Sequence, residues 1–83
     1  MTREEMATLS VGLTDKLHAI LAGQAPEVQG AAIMQLLALY IAAHHPSIRH
    51  ETFNAIMSIV PAMVPIAESE IFGPGGFPTE GVN

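Results

Sequence analysis

His44, His45, His50 and Glu51 fall close together in the stretch "IAAHHPSIRHE", which runs from Ile41 to Glu51. Imidazole nitrogens and carboxylate oxygens bind borderline metals such as zinc or nickel, so a tight connection could present two or three of them to one ion. Spacing argues against this. Neighbours on a regular helix diverge by about 100°, which keeps His44 and His45 from facing the same ion. "HETFN", starting at His50, matches the first part of the HExxH metalloprotease signature, but Asn54 stands where the second histidine ligand belongs. The zincin reading therefore lacks an essential ligand. His44, His45, His50 and Glu51 remain metal candidates, and the plainer reading of the stretch is a polar elbow between two apolar helices.

Nothing else in the chain approaches a reactive constellation. Ser10, Ser47, Ser58 and Ser69 lie in no nucleophile elbow, no glycine-rich phosphate loop precedes a helix, and the chain has no cysteine. The acidic residues sit mainly at expected helix ends or on exposed faces, where capping and solvation account for them. A non-enzymatic protein that needs no cofactor is expected.

The elements that must position these residues are set by an apolar composition. Hydrophobic residues make up 49% of the 83 positions and charged ones 13%, against about 25% charged in an ordinary soluble protein. One domain is expected, near the size at which a single core only just offsets the entropy of ordering the chain. The net charge is −5, and the permanent cations are Arg3, Lys16 and Arg49, in three separate regions. No basic stripe can be built from them, which disfavours nucleic acid and anionic lipid as partners.

"MTREEM" carries acids where a secretory signal would carry a basic stretch, so no export signal is expected. The charge-free run from Val28 to Ile48 is interrupted by Gln29, Gln35, two histidines and Pro46. That falls short of the ~20 apolar residues of a membrane span. A soluble, cytoplasmic protein is the expectation.

Thr2 and Glu5 stand at capping-box spacing, and Met6, Leu9, Leu13, Leu17, Ile20 and Leu21 share one helical face. These predict a first helix over 3–22, with Gly23 as its stop. Pro26 and Glu27 suit the start of a second helix, predicted over 26–45, whose side chains are apolar on every side apart from Gln29, Gln35 and the Tyr40 hydroxyl. A helix apolar all round has to be covered all round. Pro46 ends that helix and Ser47 is the expected cap of a third, over 47–71.

Within the third helix Asn54, Ser58, Pro61, Pro65 and Ser69 share one face, opposite Phe53, Ile56, Met57, Val60 and Val64. A single proline-bent helix and a helix split in two are both compatible with that pattern. "GPGGFPTEGVN", from Gly73, reads as a flexible glycine- and proline-rich tail over 73–83, from which Phe72 or Phe77 could tuck back onto the helical domain of 1–72.

The expected fold is thus all-α: a small up-down bundle of three principal helices with an extended tail, completed by oligomerisation, with a dimer favoured. Leu36, Leu37, Tyr40, Ile41, Phe53, Met57 and Val60 are expected in the core or the interface. The expected function is self-association and binding of a protein partner. An alternative is a binder of an apolar small molecule or lipid between the helices; a histidine-held metal is a further one. Met34, Met57 and Met63 fit an adaptable partner groove as well as an ordinary core.

Overall fold

A computed structural model describes residues 1–78. It has three α-helices, α1 (Arg3–Leu21), α2 (Pro26–Ala42) and α3 (Arg49–Phe72), with a 3-10 turn Pro46–Ile48 leading into α3. No strand occurs among the described residues, so the all-α expectation holds. Two units divide the chain, Met1–Ala38 and Leu39–Asn83, with the boundary inside α2.

In the first unit α1 begins as its capping sequence predicts. Thr2 is extended, and its Oγ1 accepts from the Glu5 amide at 3.0 Å. Glu4 and Glu5 place negative charge on the first turn and His18 lies in the last, the arrangement that a helix dipole favours. The helix ends one residue before the predicted boundary. Four residues, 22–25, separate it from Pro26, which opens α2 with its fixed φ suited to the first helical position and no amide to leave unpaired. The amides of Val28 and Gln29 both reach the carbonyl of Ala25 at 3.0 Å.

In the second unit α2 stops at Ala42, three residues short of the predicted His45. Once there, α3 runs unbroken from Arg49 to Phe72 with Pro61 and Pro65 inside it, which resolves the choice between a continuous and a split helix. Both prolines lie on the polar face shared with Asn54, Ser58 and Ser69, where water can reach the carbonyls they leave without a donor. Gly73 ends α3 at φ 83°, in the left-handed region, and its amide reaches Ser69 O at 2.8 Å.

The start of the tail is ordered. The Gly76 amide donates to Gly73 O at 3.0 Å, closing a turn that lays Phe77 edge-on against Phe72, ring centroids 5.0 Å apart. Gly76 has φ 73°, in the left-handed region, so the backbone there calls for glycine. Phe77 thus rests on Phe72 at the end of α3, and residues 79–83 of the expected tail lie outside the described residues.

Within neither unit is any described side chain buried. Large apolar side chains on all three helices are open to solvent, among them Leu9, Ile20, Met34, Leu39, Met63 and Ile66.

Candidate functional site

Any helix leaves its last four carbonyls without intrahelical donors. In α2 those belong to Leu39, Tyr40, Ile41 and Ala42, and each one is met. Leu39 O accepts from the Ala43 amide at 3.0 Å and Ile41 O from the His44 amide at 3.1 Å. Tyr40 O lies 2.8 Å from His44 Nδ1, which must be the protonated nitrogen because a carbonyl only accepts. Ala42 O accepts from Arg49 Nη2 at 2.8 Å. Arg49 Nε also donates to His44 O at 3.1 Å, so one guanidinium fork closes the end of α2 from the first residue of α3.

The histidines of the elbow are occupied by the same task. His44 stacks edge-on against Tyr40, with ring centroids 4.8 Å apart, one helical turn along from it. His45 Nδ1 accepts from the Ser47 amide at 3.1 Å and lies 2.8 Å from Ser47 Oγ. An amide can only donate, so this nitrogen is the unprotonated one of a neutral ring. His45, with extended ψ 138°, is thus the cap of the 3-10 turn. That corrects two expectations. Ser47 is capped rather than capping, and His45 lies outside α2, because Pro46 forces the residue before it out of helical geometry and Arg49 takes the carbonyls that further turns would have used. Ile48 stands at the cap position of α3 without a side-chain cap bond.

No group of three or more histidine, aspartate or glutamate side chains comes together at ligand distance among the described residues. His44, His45, His50 and Glu51 are neighbours in sequence, but the ring nitrogens of His44 and His45 described above turn to separate partners in the backbone and in Ser47.

The apolar candidates present a different picture. Leu36, Tyr40, Phe53, Met57 and Val60 are between 45% and 56% exposed, while Leu37 and Ile41 are half-buried. All seven lie on α2 or α3. One pocket lies against the first turns of α1, lined by Thr2, Glu4, Glu5, Thr8 and Leu9. The 3-10 turn and α3 together, Pro46–Phe72, form a 27-residue helical stretch long and apolar enough to cross a membrane, judged by length and composition alone. The charge-free run within it, Thr52–Ala67, is set between Glu51 and Glu68 and is shorter than the charge-free run Val28–Ile48.

Comparison with family models, curated proteins and solved structures finds no match.

Two residues with a clear structural task were not singled out by sequence as acting residues. Gln29 breaks the apolar surface of α2 because its Nε2 donates to Leu21 O at 2.7 Å and to Gln24 O at 3.0 Å, tying off the end of α1. Arg49 does the same for α2. The available signal was the last turn of α2, which holds no basic residue of its own, so a cation just past the elbow was the nearest donor for its carbonyls.

Proposed function

We propose that this protein is a small, acidic, non-enzymatic association module that forms a homodimer or larger assembly and binds a protein partner, using the apolar faces of α2 and α3. The observation that carries the reading is the absence of any buried side chain among the described residues of a chain that is 49% hydrophobic. Full burial of a Val, Leu, Ile, Phe or Met side chain stabilises by about 1.5–3 kcal/mol. A chain that leaves Phe53, Met57 and Val60 half open thus retains its main source of stability for association. The three-helix bundle expected from sequence is, on this reading, completed between copies. Three dispersed cations favour neither nucleic acid nor anionic lipid as the partner, and the cytoplasm is the compartment that this composition suits.

Light scattering behind size exclusion at micromolar concentration tests the proposal. A mass of at least twice the 8.8 kDa of one chain is expected; a monodisperse species at the mass of a single chain overturns it.

A second reading has one observation in its favour, the membrane-compatible length of Pro46–Phe72. A bilayer would cover α3 on every side. Against it stand the polar face of Asn54, Ser58 and Ser69 and the charges of Glu68 and Glu70 near the end of the helix. Flotation with neutral lipid vesicles separates the two: protein left at the bottom of the gradient supports the soluble module, and protein that rises with the vesicles supports insertion.

A further inference from the structure

The apolar face of α3 carries a repeat that specifies how two copies meet. From Arg49 the residues Phe53, Ile56, Val60, Met63, Ala67 and Glu70 follow in alternating steps of four and three, the spacing of a two-helix seam. The interior members are apolar, and Phe53, Val60 and Met63 are exposed. Asn54, Ser58, Pro61, Pro65 and Ser69 point the other way, so the prolines stay clear of a helix laid along the seam. Long helices curve with their convex side to solvent, and prolines on the outer side bend a helix in that sense.

We infer that α3 pairs antiparallel with α3 of a second copy, centred at the level of Ser58. This inference rests on the self-association proposed above and goes further by naming the surface and its direction. Charge decides the direction. The seam of α3 has a cation, Arg49, at its first turn and an acid, Glu70, at its last, the reverse of what the dipole of an isolated helix favours. A parallel pair would stack Arg49 on Arg49 and Glu70 on Glu70, with both dipoles aligned. An antiparallel pair sets each Arg49 beside the end of the opposite helix, with Glu70 of the second copy one seam step away, about 4.5 Å along the axis.

Volume agrees with charge. The antiparallel register places Arg49 opposite Ala67, Phe53 opposite Met63 and Ile56 opposite Val60, so the longest side chain meets the smallest. Arg49 can serve both purposes. Its bonds to Ala42 O and His44 O use Nη2 and Nε, and a guanidinium has five donor hydrogens in all.

A single spin label tests the direction, because the chain has no cysteine to compete. Ser69→Cys labels an exposed position on the far side of the seam. In the antiparallel pair the two labels are separated by about 33 Å along the axis, at ~1.5 Å per residue on either side of the centre, and by about 39 Å overall. Side by side in a parallel pair they are roughly 20 Å apart. A dipolar distance near the longer value supports the inference; the shorter value, or any other, in a sample that light scattering shows to be dimeric overturns it and leaves self-association intact.

A labelled sample that is monomeric overturns both readings. Glu70→Lys provides the second measurement, since it replaces two attractive contacts per dimer with repulsive ones. Each exposed ion pair is worth about 0.2–1 kcal/mol, so the dissociation constant should rise roughly two- to thirtyfold. An unchanged constant overturns the charge pairing.

Discussion

Where α1 gives way to α2, the carbonyls of Leu21 and Gln24 accept from the side-chain amide of Gln29; where α2 gives way to α3, those of Ala42 and His44 accept from the guanidinium of Arg49. In both connections a side chain from the incoming helix reaches back to close the outgoing one. The chemistry differs because the surroundings do. α1 has a basic residue of its own, His18, in its last turn, and Gln29 stands in the opening turns of α2, where the positive end of the dipole disfavours a cation. α2 has no basic residue in its last turn, and Arg49 supplies one from the next helix. The charge is unfavourable for the start of α3 and favourable for the end of α2. Its bonds run to the end of α2.

Removing the charged clamp should therefore have the largest effect. Arg49→Ala leaves Ala42 O and His44 O without the bonds shown here, and hydrogen bonds involving a charged group contribute about 1.5–3 kcal/mol each way they are measured. A loss near the lower half of that range, about 1.5–2 kcal/mol, is expected by urea unfolding, since the site is exposed. Arg49→Lys should recover less than half of it. An ammonium on a single stem does not reproduce a planar fork that spans two carbonyls. If Lys restores full stability, charge near the end of α2 matters and the fork does not.

Gln29→Ala should cost less, about 1 kcal/mol, because the lost bonds are neutral and Leu21 O keeps the Gln24 amide at 2.9 Å. Gln29→Glu sharpens the comparison. A carboxylate suits the first turns of a helix electrostatically, yet it offers only acceptors to Leu21 O and Gln24 O. A variant less stable than Gln29→Ala in thermal unfolding would show that donor geometry outweighs the dipole at this connection; a more stable one would reverse that order.

His45 tests the finer part of the second elbow. His45→Ala removes the acceptor of the Ser47 amide and should cost about 0.5–1 kcal/mol, the lower range for a lost cap. His45→Asn should restore most of that, because an Asn side-chain oxygen bonds the amide two residues on. A full loss in the Asn variant as well would mean that the imidazole acts through its ring and not through its acceptor.

Local signals along the chain were readable because they depend on neighbours in sequence. Thr2 with Glu5, Pro26 and Gly23 gave the ends of α1 and the start of α2 nearly to the residue, and the shared phase of Pro61 and Pro65 with Asn54 and Ser58 left a continuous α3 open as one of two choices. The end of α2 was misplaced for the opposite reason. It depends on Arg49 folding back across Pro46 to carbonyls five and seven residues earlier, and no periodicity encodes that return. The histidines looked like ligands because composition gathers them; only geometry shows His44 serving Tyr40 O and His45 serving Ser47. Of the apolar residues, sequence could say that Phe53, Met57 and Val60 need cover, since that follows from type and phase alone. What covers them depends on surfaces beyond one chain.

The smallest effect expected is an interaction between the two clamps. Gln29 and Arg49 act at opposite ends of α2, share no partner, and belong to different units, Met1–Ala38 and Leu39–Asn83. Substitutions at independent sites add to within about 0.3–0.5 kcal/mol. The double variant Gln29→Ala/Arg49→Ala should accordingly lose the sum of the two single losses in urea unfolding, with no change of denaturant slope beyond that of the single variants. Coupling larger than this would have a definite meaning. α2 is apolar on nearly every side, so a helix released at one end is held mainly by whatever covers its flanks, and failure of that cover would make the second release cheaper than the first. A double variant that loses clearly less than the sum would show that the two connections stabilise one shared packed state and are not two independent closures.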